Sequence, residues 1–150
     1  MAALCQSLLA GLTPAWRERL DADLLHAAAL LHDAARCQPR HPQAAAVLEA
    51  AGFPVAAELI ACHHQLAAGD LQELSEAGIL FYADKLISGQ RRVSLEERFA
   101  ESLPKCRDAA ARQAHQLRFD QALRLRELLQ AAGEEAGDES GEQAGEGSQE

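Results

Sequence analysis

Apolar and polar positions alternate with helical rather than strand spacing along most of this chain. A first helix is expected over 2–11. Thr13-Pro14 can start another turn, with Thr13 as cap and Pro14 at the first helical position. Asp21 or Asp23 can cap a helix running to about Cys37, which Pro39 stops. His41-Pro42 opens a helix over 42–51, and Gly52 is placed to end it. Pro54 starts the next, over 54–64, where Val55, Leu59 and Cys62 recur at helical spacing. Gly69-Asp70 marks a turn, followed by a short helix over 71–76 and a longer one over 77–88. Ser94-Leu95-Glu96-Glu97 is a capping box ahead of a helix over 98–103. Pro104 then leads a long helix over 105–132, with Leu117, Leu123, Leu125, Leu128 and Leu129. The only strand-like run is 78–82, and there is no internal repeat. The expectation is an all-α fold, a single bundle of six to seven helices.

Composition agrees with that reading. Hydrophobic residues make up 48% of the chain but aromatics only 4%, and alanine and leucine far outnumber β-branched residues, which favours helix over strand. The 150 residues suit one domain, expected over 1–131. The net charge of -9 is concentrated at the C-terminus, where residues 133–150 hold seven acids and no base. Residues 132–150 should therefore be an acidic, disordered tail with almost nothing to bury. The remainder is close to neutral and has no aromatic-lined basic stripe, which argues against nucleic-acid binding. Cys5, Cys37, Cys62 and Cys106 show no CxxC spacing and read as free thiols in a reducing cytoplasm. No apolar run reaches the ~20 residues of a membrane helix, and the N-terminus lacks a basic region typical of a signal peptide.

The candidate chemistry sits where polar groups interrupt apolar runs. Leu24-Leu25-His26-Ala27-Ala28-Ala29-Leu30-Leu31 ends on His32-Asp33. An imidazole and a carboxylate at the end of a buried helix are costly unless something pairs with them, and a metal ion suits both. Adjacent residues diverge by about 100° on a helix, so they can flank one ion but need further ligands from other helices. His63 follows Leu59-Ile60-Ala61-Cys62, and Asp84 is the lone acid in Ile79-Leu80-Phe81-Tyr82-Ala83-Asp84-Lys85-Leu86-Ile87. Lys85 is expected to point away from Asp84. Each residue also has a plainer reading: Asp84 as a salt-bridged group, His63-His64 as a helix end suited to the dipole, His41 as a loop residue. His26 and His115 read as surface or packing residues. Arg91 and Arg92 read as a solvated pair ahead of a phosphate contact.

The segments 27–36 (AAALLHDAAR), 39–66 (PRHPQAAAVLEAAGFPVAAELIACHHQL) and 79–103 (ILFYADKLISGQRRVSLEERFAESL) resemble the HD-domain superfamily of metal-dependent phosphohydrolases. The resemblance covers about residues 20–105 and is nearest to small bacterial HD proteins. The dyad, the histidine pair and Ala83-Asp84-Lys85 carry it together. It implies that His32 and Asp33 bind the metal and that Asp84 is the distal ligand. His63, His64 and His41 match histidines that bind a second metal or the substrate phosphate. Arg36 and Lys85 would offset phosphate charge. Asp33, His63, Arg36 and Lys85 are thus the expected catalytic residues. One or two divalent ions per chain are implied, from among iron, manganese, nickel, zinc and magnesium; mixed His/carboxylate ligands favour a transition metal over magnesium.

One feature departs from the family pattern. Its first metal ligand is a histidine on a preceding helix, and here that position falls near or just before Met1. His26 cannot replace it easily, being about 9 Å along the same helix from His32 and about 120° off its face. Either the protein extends upstream or the site lacks one ligand. The function implied is hydrolysis of a phosphoester or phosphoanhydride, with a nucleotide as the expected substrate, in the cytoplasm. Homodimerisation stays open. The alternatives are a non-catalytic HD-fold module that binds a nucleotide or regulates a partner, and a plain helical interaction protein.

Overall fold

The computed structural model describes residues 1–33 and 44–134. Among them are eight α-helices, against the six to seven expected: α1 (Ala2–Ala10), α2 (Pro14–Arg19), α3 (Ala22–Leu31), α4 (Ala44–Ala50), α5 (Pro54–Ala61), α6 (Glu76–Lys85), α7 (Leu95–Ser102) and α8 (Ala109–Glu134). Short 3-10 turns occupy Cys62–His64, Ala68–Leu71 and Leu103–Lys105. The all-α class holds.

Most helix starts follow from local chemistry. Thr13, Asp21, Ser75 and Ser94 each accept a hydrogen bond from a backbone N–H of the first turn. Pro14 and Pro54 sit in the first turn of α2 and α5, where their missing N–H costs nothing. Three expectations needed correction. The helix expected over 71–76 is replaced by the turn Ala68–Leu71, where the Asp70 carboxylate accepts from the Ala67 N–H at 2.8 Å. The long helix starts at Ala109 rather than beside Pro104, because Asp108 accepts from the Ala111 N–H at 2.7 Å. Helix α6 ends at Lys85, short of Ser88, because the chain turns into a small antiparallel hairpin. There Ile87 pairs with Arg92 and Ser88 with Arg91. Gly89 takes φ 63 in that turn, the left-handed region that favours glycine. The run 78–82 lies at the heart of α6, within the helix expected over 77–88.

Helix α6 is the axis of the fold. Seven of its ten residues are buried, and it packs against α1, α3, α5 and α8. Ile79, Leu80, Phe81 and Ala83 are fully excluded from solvent, beside Leu25 of α3 and Leu125 of α8. Gly78 permits the closest approach: a Cβ there would lie 2.7 Å from Leu125 Cδ2. Asp84 is therefore carried into the interior by the most constrained helix of the molecule. Among the described residues no helix is long and apolar enough to cross a membrane.

Candidate metal centre and its cavity

His32 stands at the C-terminal end of α3, its N–H still bonded to the Ala28 carbonyl at 2.8 Å. His63 lies in the 3-10 turn that tightens the end of α5. Asp84 comes from the last turn of α6. Three elements distant in sequence thus converge. His32 Nε2 lies 3.6 Å from Asp33 Oδ2 and 3.8 Å from Asp84 Oδ1. The His32 and His63 rings meet edge-on, with centroids 5.4 Å apart, and His64 lies against His63 at 3.6 Å.

The two inner imidazoles are oriented alike. His32 Nδ1 faces the Ala29 carbonyl at 3.0 Å, and His63 Nδ1 faces the Ile60 carbonyl. A carbonyl only accepts, so both Nδ1 atoms carry a proton, and in the neutral imidazole the lone pair is then on Nε2. That is how a backbone carbonyl orients a metal-binding histidine. His63 Nε2 is buried and has no hydrogen-bond partner among the described residues, a costly arrangement for a polar atom. An unpartnered imidazole nitrogen beside a second imidazole and two carboxylates is a donor set that fits a divalent cation. The described residues do not contain a group of three or more such side chains already gathered at metal-binding distance.

Asp84 is also tied to Lys85, contrary to expectation. Lys85 Nζ donates to Asp84 Oδ2 at 2.7 Å and to the His63 carbonyl at 3.3 Å, and lies 4.6 Å from the Phe81 ring centroid. The Cβ directions of adjacent helical residues diverge, but the flexible four-carbon stem of lysine lets its head fold back. Both pKa values fall, for different reasons. At Asp84 burial pushes the pKa up, but the charge and hydrogen bond of Lys85, with His63 and His32, bring it below the ordinary value. At Lys85 burial outweighs the pull of Asp84, and Arg98 and Arg118 add repulsion. His64 keeps one side in solvent. Partial desolvation, then His63 and Lys85, lower its pKa against the opposing pull of Asp84 and Asp33.

Of the expected site residues, His32, Asp33, His64, Asp84 and Lys85 line one cavity of about 940 Å³, with His63 packed behind His32 and His64. Arg36 and His41 lie outside the described residues. Met1 lines the same cavity. His26 does not join the cluster; its Nδ1 faces the Gln6 amide nitrogen at 3.3 Å. Arg91 is exposed and pairs with Glu97 and Glu101, the solvated reading of that pair.

The far side of the cavity was not singled out from the sequence. It is built from α7, α8 and the turn between them, and includes Arg98, Ser102, Lys105, His115 and Arg118. His115 is buried, with Nε2 2.9 Å from Ser102 Oγ and 3.1 Å from the Phe99 carbonyl. It clamps α7 to α8, a packing role. Only a hydrophobic stripe with histidine and arginine on its flank marked this face in the sequence, and a solvated helix shows the same pattern.

The metal-suited donor set, the cavity beside it and the all-α scaffold agree with the comparison to known families. No curated protein and no solved structure matches the chain significantly. A family model described as HD domain matches residues 1–89, which contain every element that carries the His32, Asp33, His63 and Asp84 side chains, and the chain belongs to the HD-domain family.

Proposed function

We propose that the protein is a metal-dependent phosphohydrolase acting on a phosphoester or phosphoanhydride, with a nucleotide as the substrate to test first. Membership of the HD-domain family points to the superfamily of metal-dependent phosphohydrolases. The observation that carries the reading to these residues is the pair of imidazoles held by backbone carbonyls, with His32 Nε2 near Asp33 and Asp84 at the edge of an open cavity and His63 Nε2 buried without a partner among the described residues.

His32, Asp33 and Asp84 would hold the ion, with His63 as a further nitrogen donor and His64 at the cavity edge. When bound, a divalent ion polarises a phosphoryl oxygen and makes water a stronger acid. The protein residues do the rest. The Ala29 and Ile60 carbonyls fix the imidazole tautomers. Lys85 keeps Asp84 ionised and oriented, so it acts through Asp84 as a positioning residue. The lowered pKa of His64 keeps its imidazole neutral at neutral pH, able to accept a proton from water or to ligate.

The test is elemental analysis of protein purified without chelator, followed by a phosphoester screen. One or two equivalents of iron, manganese, nickel or zinc, and hydrolysis that a chelator stops, would support the reading. Asp33→Ala should lose both metal and hydrolysis while helicity by circular dichroism stays intact. Full hydrolysis by that variant would sink it. One observation favours a non-catalytic binding module instead: Lys85 already occupies one Asp84 oxygen, and no three-ligand group is assembled among the described residues. Nucleotide binding without turnover, equal with and without chelator, would establish that second reading.

A further inference from the structure

The far wall of the cavity has an unusual charge arrangement. Arg98 on α7 and Arg118 on α8 are each half-buried, and both line the cavity that reaches Asp84 and Lys85. Neither guanidinium has an ion-pair or hydrogen-bond partner among the described residues. The acid nearest in sequence on the same face is unavailable: Glu101 accepts from Ser88 Oγ at 2.8 Å and pairs with Arg91 at 3.5 Å. On α8, Asp120 accepts from the Gln116 side chain at 2.8 Å. Lys105 adds a third cation at the rim, exposed and also unpaired among the described residues.

Arg98, Arg118 and Lys105 line the same cavity as Lys85. Two half-buried guanidiniums facing one cavity without a protein counter-charge are stabilised by an anion in that cavity. Arginine suits this role, since its planar fork matches phosphate oxygens and it carries its charge at all ordinary pH. The helices that bear Arg98 and Arg118 also lie beyond residues 1–89, the part matched by the family model. The clamp of His115 on Ser102 and the Phe99 carbonyl holds α7 and α8 together, which sets the spacing of the two arginines.

We propose that Arg98, Arg118 and Lys105 form a second phosphate subsite, so that the cavity takes an extended substrate with at least two phosphate groups rather than a monophosphate. One phosphate sits at the His32–Asp84 end and another against the α7–α8 wall. The assignment of the first phosphate as the scissile one rests on the phosphohydrolase reading, whereas binding of the second needs no turnover.

The experiment is calorimetric titration of the full chain with inorganic tripolyphosphate and, separately, orthophosphate. It is repeated on Arg98→Gln, Arg118→Gln, the double variant, and Arg124→Gln as a control. Arg124 is exposed and pairs with Glu127 at 3.2 Å. Tripolyphosphate should bind the unaltered chain about tenfold or more tightly than orthophosphate, and the double variant should lose most of that preference. Arg124→Gln should keep it. Equal affinity for the two anions would overturn the proposal. So would a preference that survives in the double variant, the result expected if tripolyphosphate merely strips a metal, or one that falls as far in Arg124→Gln. Failure of hydrolysis with the binding preference intact would remove the phosphohydrolase reading alone. Hydrolysis of a monophosphate with no preference would remove the subsite alone.

Discussion

The two walls of the cavity handle charge in opposite ways. On the wall built by α3, the Cys62–His64 turn and α6, the charged and polar groups lean on one another. Asp84 pairs with Lys85, Lys85 also reaches the His63 carbonyl, and His32 lies between two carboxylates. On the wall built by α7 and α8, Arg98 and Arg118 stand half-exposed with no partner among the described residues. Depth explains the contrast. A carboxylate carried by the most buried helix needs a compensating charge within reach, since an isolated buried charge is prohibitive. A guanidinium at the cavity edge can be sustained by water until an anion replaces it. The first wall is thus coupled to stability, and the second is coupled to what the cavity holds.

Breaking the first wall should give the largest effects. Asp84→Ala leaves Lys85 buried without its partner, and should cost about 3 kcal/mol in urea denaturation along with metal content. A change below about 0.5 kcal/mol would mean that the Asp84–Lys85 pair is not coupled to folding. Gly78→Ala tests the scaffold rather than the site. The added methyl meets Leu125 at the α6–α8 contact, so a loss of about 1–3 kcal/mol is expected, unless Leu125 can rotate away. His63→Asn keeps a donor for the Ile60 carbonyl but removes the unpartnered Nε2. Stability should shift by only about 1 kcal/mol while metal content falls; unchanged metal content would remove His63 from the ligand set.

A pH series sharpens the same contrast. The folded pKa of Asp84 lies below its ordinary value, so its contribution to stability is full above about pH 4 and is lost as pH falls through the folded pKa. Lys85→Met removes the main group that lowers it and leaves burial, which raises it, so the acid-side loss due to Asp84 should shrink; stability measured across the acid range would read this change, and an undiminished loss would mean that Lys85 does not hold the Asp84 pKa down. The smallest effect belongs to the other wall. Arg118→Gln should change stability by less than about 0.5 kcal/mol, since no protein partner among the described residues is lost. A large loss there would mean that Arg118 is held by the fold and is not reserved for an anion.

Much of the scaffold was legible without coordinates. Thr13, Asp21 and Ser94 cap through atoms within three residues, so the information is local, whereas the Ser75 cap fell inside a helix expected over 71–76. The His32-Asp33 pair and Asp84 stood out because polar groups interrupted apolar runs, and the structure brings His32 within 4 Å of both carboxylates. The return of Lys85 onto Asp84 was not legible, because its stem can reach either way and only the buried surroundings select one. Nor was the basic wall. Arg98 and Arg118 are twenty residues apart on different helices, and nothing in the pattern of either helix marks its arginine as different from a solvated one.

The sequence by itself determined the helical class, the caps and stops, and which polar residues would be expensive to bury, since those depend on residue type and near neighbours. Only the tertiary structure decided which of those polar residues share a cavity, which Asp84 oxygen Lys85 takes, and which arginines are left unpaired. These depend on contacts between α3, α6, α7 and α8, whose spacing along the chain carries no record of their spacing in the fold.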